Sequence, residues 1–373
     1  MKVLFYQWNA FMQKGMENAL NRLGIDYDIF FYQFVDGSKW EDDDAFVEKL
    51  SVKLGDYNYD TVLSVNFVPL IATTCEKYGI HYVSWIYDCP LHIQSFETMK
   101  LSCNDIYFFD VQQAKYFKEL GVSGTHTLPL AVDSQMFGGE VFVNEHYNCD
   151  VSLVGQLYRS DYNKVCSSLD QYTRGYLEGC LGAQQNVVGG YILPELVTNE
   201  LIEELNNQSV CVNKRQLEYL LACEVTGRDR RMALSLLQSR YKVCLYSNDS
   251  CNELENVDNK GYIDYYNGMP QVFRSSKVNL NISLRAIQTG IPLRVLDIIG
   301  SGGFLITNYQ EELLEYFSPG EDIVIYETMK DLILKTDYYL HHDEERKNII
   351  RNGLKKVKEA FNFDDRIKRM LIG

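Results

Sequence analysis

Short apolar runs recur along the first third of the chain with helix-length segments between them, and that rhythm constrains the fold more than any single motif. Residues 2–6, 25–31, 61–65, 81–86 and 105–109 are each rich in β-branched or aromatic side chains. Near-continuous apolarity is what strands covered on both faces need, so the pattern predicts a parallel sheet with helices on each side. Gly24, Gly55, Gly79 and Gly121 fall where helices end or loops begin. The rhythm breaks in residues 128–148, a mixed stretch holding Pro129, Asp133, Gly138 and Gly139, and resumes at 149–154. Helical patterns at 162–173, 193–208 and 215–238 form an excursion before strand-like runs return at 241–246 and 277–282. Residues 261–266 read as a short strand or adjoining loop, and 309–317, 329–341 and 343–361 read as helical.

At 373 residues the chain exceeds the usual single core. The expectation is an α/β protein of two doubly wound domains, residues 1–133 and 149–355. A linker at 134–148 joins them, and a terminal helix within 356–373 could cross back to the first. A net charge of −15 argues against a broad nucleic-acid surface, which needs positive potential. One local basic pocket for a diphosphate is still compatible with it. The ten cysteines include no C-x-x-C pair, and Cys75, Cys211, Cys223 and Cys244 sit in apolar or mixed segments. Buried thiols in a reducing compartment fit that distribution better than a disulfide scaffold. Residues 1–7 read as a strand, not a leader, and no uninterrupted apolar run reaches membrane-spanning length. The expected location is the cytoplasm.

Residues 278–307 are the densest in chemistry. Arg285 and Arg294 offer persistent, directed positive donors for a phosphorylated ligand. Asp297 can accept hydrogen bonds from ribose hydroxyls, a charge-assisted contact worth roughly 1.5–3 kcal/mol. Either arginine could instead pair with that carboxylate. Gly300, Gly302 and Gly303 would let the backbone turn closely before the next strand, where Thr307 and Asn308 could contact phosphate or base, or simply form a turn. Asn281 and Ser283 could meet phosphate or sugar oxygens, or complete backbone turns. Gly155 and Arg159, just after a strand, suit a diphosphate pocket, with an ordinary loop as the bland alternative. Tyr262, with Tyr265 and Tyr266, could line a base or sugar pocket or pack a sheet onto a helix. In the first half, Asp88 lies beyond a strand end, where it could orient or deprotonate an acceptor hydroxyl or stabilise a turn. Gly15 could let the first loop approach a sugar or phosphate, and no G-x-G-x-x-G fingerprint accompanies it. No histidine cluster points to a metal.

The stretch 277–307 resembles the CgeB-like, spore-maturation-associated glycosyltransferase family, with a group-one glycosyltransferase domain in the second half. The resemblance is sharpest at residues 280–283, Pro292 to Arg294, Asp297 and residues 302–305, with support from 338–346. It implies a GT-B architecture: two Rossmann-like domains facing an interdomain cleft, with the nucleotide held mainly by the second. It implies transfer of a sugar, a hexose on this reading, from a nucleotide diphosphate donor to a hydroxyl of a glycan or of a cell-envelope or spore-surface acceptor. A UDP-sugar is the expected donor, with no tightly bound cofactor and no metal, because arginines and helix amides can meet the diphosphate. In that frame Asp297 matches the ribose-binding carboxylate, and Gly155 and Arg159 match the diphosphate loop. Thr289 stands eight residues earlier, where retaining relatives carry glutamate, so the two-glutamate motif does not carry over. A sugar-nucleotide epimerase or hydrolase, or a non-catalytic nucleotide-sugar binder, would use the same pocket. The chain could also assemble with copies of itself.

Overall fold

The computed structural model describes residues 1–373 apart from 11, 36–40, 57, 134–136 and 138–144. Gly138, Gly139 and most of the expected linker lie outside the described residues. The chain divides into two compact units: Met1–Asp133 together with Phe361–Gly373, and Ser134–Ala360.

The first unit is built on six parallel strands: β1 (Lys2–Gln7), β2 (Asp26–Phe31), β3 (Thr61–Val65), β4 (His81–Ile86), β5 (Asn104–Phe108) and β6 (Thr125–Thr127). Their order is β2-β1-β3-β4-β5-β6. Helices α1 (Gln13–Arg22), α2 (Asp44–Asp56), α3 (Pro69–Tyr78) and α4 (Val111–Glu119) connect them. Every residue of β3 is buried, which explains why Val62, Leu63 and Val65 dominate it and why only small polar residues, Thr61 and Ser64, interrupt them. Leu4, Phe46, Val62, Ile71, Tyr82 and Phe108 meet in one core. Gly79 closes α3 at φ 65°, a left-handed turn that a side chain would strain.

The second unit repeats the plan with β7 (Cys149–Val154), β8 (Val243–Tyr246), β9 (Val257–Asn259), β10 (Ser276–Asn281), β11 (Leu305–Asn308) and β12 (Val324–Tyr326). All five pairings are parallel and the order is β12-β11-β10-β7-β8-β9. The excursion between β7 and β8 contains α5 (Gln171–Asn186), α6 (Asn199–Asn207) and the long α7 (Lys214–Leu237). It has its own apolar cluster, in which Leu177, Leu181, Leu205, Leu217 and Leu221 meet. Farther along α7, Ala233, Leu234 and Leu237 join the core under the sheet. One helix thus serves two cores. Beyond it come α8 (Met269–Ser275), α9 (Leu293–Gly300), α10 (Met329–His341) and α11 (Asp343–Ala360).

Both sheets are α/β and Rossmann-like, as expected, with local differences. Of the two readings at 261–266, short strand or adjoining loop, the structure has the loop, and it adjoins the short strand β9. Helix in 309–317 is confined to Leu313–Tyr316. Cys75, Cys223 and Cys244 are buried free thiols, whereas Cys211 is an exposed one.

The terminal helix α12 (Phe363–Leu371) belongs to the first unit and packs on α1. Arg22 holds Asp364 at 2.6 Å, Arg366 Nε donates to the Pro129 carbonyl at 2.7 Å, and Val132 N–H donates to the Phe361 carbonyl at 3.0 Å. Gly15 makes this contact possible. It lies inside α1, not in a ligand loop, and a Cβ there would fall 2.4 Å from the Phe363 ring. Its role is close helix packing. Alanine would gain up to about 1 kcal/mol of helix propensity, but overpacking costs about 1–3 kcal/mol. Gly15→Ala should therefore lower stability by about 1–2 kcal/mol in equilibrium urea unfolding. In a Phe363→Ala background the same substitution should be neutral or stabilising, a coupling that a double-mutant cycle measures.

Candidate functional site

In an open parallel sheet, ligands bind beyond the strand C-termini, where successive connections leave in opposite directions. In the second unit β7 leads to β8 on one side, and β10 lies on the other, so this switch point falls between β7 and β10. Residues 155–158 leave β7 there. Gly155 takes φ 147°, and Leu157 N–H donates to the Asp249 carboxylate in the loop after β8. The loop lies against α7 at Gly227, where a Cβ would stand 2.6 Å from the Leu157 carbonyl oxygen. A glycine in mid-helix costs about 1 kcal/mol relative to alanine. Here it lets a loop backbone sit directly on the helix.

Arg230, one turn further along α7, reaches the switch point itself. Its guanidinium donates to the carbonyls of Gln156, after β7, and Ile282, after β10. It also lies over the Tyr158 ring, 4.7 Å from the centroid. Sequence reasoning missed this residue.

Asp297 and Arg294 are brought together on α9. Asp297 Oδ2 accepts from Arg294 Nη1 at 3.1 Å, and Oδ1 accepts from the Tyr265 hydroxyl at 2.8 Å. The carboxylate is 1% exposed, its arginine partner 24%. Burial pushes the Asp297 carboxyl up to about 6, while Arg294 and Tyr265 pull in the opposite direction. Each oxygen has one protein donor and so retains acceptor capacity.

The other candidates are distributed as follows. Arg285 is bound by Asp229 through two hydrogen bonds, at 2.6 and 3.1 Å, so its charge is already matched. Arg159 is held by Glu253 and the Ser250 carbonyl. Tyr262 is 70% exposed in the loop after β9. Thr307 and Asn308 end β11 at the ligand edge and brace its neighbour. Thr307 Oγ1 accepts from Asn281 Nδ2 at 2.9 Å, and Asn308 Oδ1 accepts from Ser283 N–H at 2.7 Å. Ser283, Arg285, Gln288, Asn308 and Tyr309 line a small cavity beside these ends, closed by Gly189 and Gly190 from the excursion. The Thr289 hydroxyl donates to the buried carboxylate of Glu312 at 2.7 Å.

Gly300, Gly302 and Gly303 need a correction. Gly300 is the last residue of α9, and Gly302 and Gly303 lie between it and β11, which puts all three at the strand N-termini, the sheet edge away from the switch point. Gly303 is held against backbone, with a Cβ position 2.7 Å from the Phe273 carbonyl oxygen. These glycines pack the helix–strand turn and do not approach the ligand edge.

In the first unit, β1 leads to β2 on one side while β3 lies on the other. Asn66, after β3, takes φ 54°, a left-handed conformation that asparagine tolerates. Its Oδ1 accepts from the Tyr87 and Asp88 amides at 2.8 and 3.2 Å, and its Nδ2 donates to Asp88 Oδ2 at 2.9 Å. Crowding by the chain pushes the Asp88 carboxyl above its ordinary range, although solvent still reaches the residue and the Asn66 amide opposes the rise. Among the described residues, no group of three His, Cys, Asp or Glu side chains is placed to hold a metal ion. Likewise no helix is long and apolar enough to cross a membrane.

A family described as glycosyl transferase-like matches residues 205–372, less than half of the chain. No curated protein matches by sequence. Among solved structures, sucrose-phosphate synthase from Thermosynechococcus elongatus is similar at TM-score 0.60 and 10% identity, over 99% of this chain and 97% of that one. A glycosyltransferase from Rickettsia africae gives TM-score 0.57 at 10% identity, covering 99% and 98% of the two chains. HepE from Anabaena, in complex with UDP-glucose, gives 0.55 at 11% identity, covering 100% and 99%. The shared fold is GT-B, and residues 205–372 resemble a glycosyl transferase-like family.

The Asp297 environment sets a pH dependence. Between the unfolded carboxyl value, about 4, and its folded value of about 6, the folded protein keeps a proton that the unfolded chain has lost. Stability should therefore be highest below that window, fall by roughly 2–3 kcal/mol across it, and level off above. Asp297→Asn should remove that component, read as the difference between the two proteins in urea unfolding at pH 4 to 7.

Proposed function

We propose that this glycosyltransferase moves a hexose from a UDP-sugar to a hydroxyl of a glycan acceptor. What carries the reading is the coincidence, in one unit, of a glycosyl transferase-like sequence and a β7–β10 switch point edged by guanidinium groups and a buried carboxylate. HepE, which shares the fold, was solved with UDP-glucose, and that supports a uridine diphosphate donor.

On this reading the ribose takes the remaining acceptor positions of Asp297, and Arg294, already fixed by that carboxylate, faces the diphosphate. Negative charge grows on the diphosphate as the glycosidic bond to it breaks, so a guanidinium held ready there favours the transition state over the bound donor. The Asp229 contact makes Arg285 a weaker contributor, and Arg159, held by Glu253, is weaker still. Asp88 belongs to the acceptor side. A carboxylate raised above its ordinary range is a better proton acceptor, and the Asn66 amide fixes the oxygen that would meet the acceptor hydroxyl. Metal-independent transfer, cytoplasmic location and a cell-envelope acceptor belong to the same proposal.

Purified protein should be screened with labelled UDP-, GDP- and dTDP-sugars against a bacterial glycan library, with product mass and linkage as the readout. Transfer from a UDP-hexose is expected; donor hydrolysis or epimerisation without an acceptor product would overturn the assignment. Asp297→Asn should weaken donor binding about tenfold or more, since one charge-assisted contact is worth roughly 1.5–3 kcal/mol. Wild-type affinity in that variant would remove its ribose role. Asp88→Asn should lower kcat with little change in donor KM, and an unchanged kcat would exclude it as the base.

A further inference from the structure

We propose that Arg230 is a donor-site residue: its guanidinium is kept without a carboxylate at the switch point so that the diphosphate of the donor supplies the counter-charge. The inference rests on the nucleotide-sugar reading above and adds a residue that neither the motif at 277–307 nor the loop at 155–159 contains.

Three observations carry it. The first is the absence of an anion. Arg159, Arg228, Arg285, Arg294 and Arg366 each pair with a carboxylate. Among the described residues none lies within ion-pair distance of Arg230, although it is only 9% exposed. A buried charge without a partner is strongly unfavourable, so chains normally match it or replace it with an apolar residue. Asp249 attracts it only from farther off, being engaged by the Leu157 amide. Arg294 repels it, and burial and that repulsion both push its pKa down.

The second is location. Arg230 links the carbonyls following β7 and β10, the two strands that flank the crevice. A guanidinium has five N–H donors; Nε and Nη2 each give one to Ile282, and Nη1 gives one to Gln156, which leaves two. The third is clearance. Gly155 holds φ 147°, and a Cβ there would stand 3.2 Å from Arg230 Nη1, so the glycine keeps the space before this nitrogen open. A merely structural arginine would need neither the spare donors nor the missing counter-ion.

The test measures binding of UDP and of inorganic pyrophosphate by calorimetry, together with thermal unfolding with and without each, for wild type and Arg230→Met. The variant should unfold at or above the wild-type temperature when unliganded, because it no longer buries an unmatched charge. It should bind both probes about tenfold or more weakly and lose the thermal upshift that pyrophosphate gives wild type. Unchanged affinity for both probes in Arg230→Met would overturn the role of Arg230, even in an enzyme that transfers sugar. If wild type binds both probes yet transfers to no acceptor, the transferase reading fails while Arg230 stands. Wild type that binds neither probe overturns both. Should Arg230→Met not fold, Arg230→Lys and Arg230→Gln decide the matter. Lysine keeps the charge and should retain pyrophosphate binding, glutamine should lose it, and equal binding by the two overturns the proposal.

Discussion

Two buried amides on the central strand β10 hold the second unit in register, and the ligand edge follows from them. Asn279 is 1% exposed; its Oδ1 accepts from the Ser152 hydroxyl on β7, and its Nδ2 donates to the Phe273 and Phe304 carbonyls. Asn281, two residues on, donates to Ser283 and to Thr307 on β11. A one-residue slip of β10 would turn these amides toward the opposite face and leave their partners buried and unsatisfied. Apolar packing alone would resist such a slip less sharply, because valine and leucine tolerate neighbours of similar volume. The polar ladder thus fixes where β7, β10 and β11 end relative to one another. From those ends start the loops that carry Gly155, Ile282 and Ser283, with Asn308 closing β11 beside them.

On this frame, charge sorts the candidate residues. Arg159, Arg285 and Arg294 share one chemistry, yet the fold neutralises each to a different degree. Glu253 and a carbonyl hold the first, Asp229 grips the second with two hydrogen bonds, and Asp297 meets the third through one. A matched arginine is a poor anion receptor, since a ligand must displace its partner before gaining anything. By that criterion Arg294 is more available than Arg285, and both less so than an arginine bound only to carbonyls.

Much of this was legible in sequence where the signal was long. The largely apolar runs that became β1, β3, β4 and β7 announced both sheets, because strands covered on two faces are near-continuously apolar, and the run containing β10 was legible through Val278, Leu280 and Ile282 alternating with polar residues. The three-residue strands β6, β9 and β12 lack enough residues for any periodicity; Thr125–Thr127 is polar besides. The Asp297–Arg294 pair was anticipated as one of two outcomes, from their nearness in the chain. The neighbouring glycines misled. They follow Asp297 closely in sequence, but α9 runs antiparallel to the strands, and eight residues of helix rise about 12 Å. Adjacency in sequence therefore became separation across the sheet. Gly15 was misread for a related reason: its partner, Phe363, is far away in the chain. Arg230 hid in the run Arg228, Asp229, Arg230, Arg231, which resembles a solvated helix face. Gly227 immediately before it was the one available hint that something packs there.

The layout of α7 explains why such a charge is tolerated. Its first half is anchored by Leu217 and Leu221 in the excursion and its last turn by Leu234 and Leu237 under the sheet. Between the two lie Gly227 and Arg230, where the helix meets loop backbone at Gln156, Leu157 and Ile282. Apolar burial on both sides sets the helix position independently of this middle turn, so the turn can carry an unfavourable group without unfolding. A polar site built at the junction of two cores in this way is rigid without being self-satisfied. That is the condition under which a bound anion gains the full attraction of the charge, with no rearrangement needed to expose it.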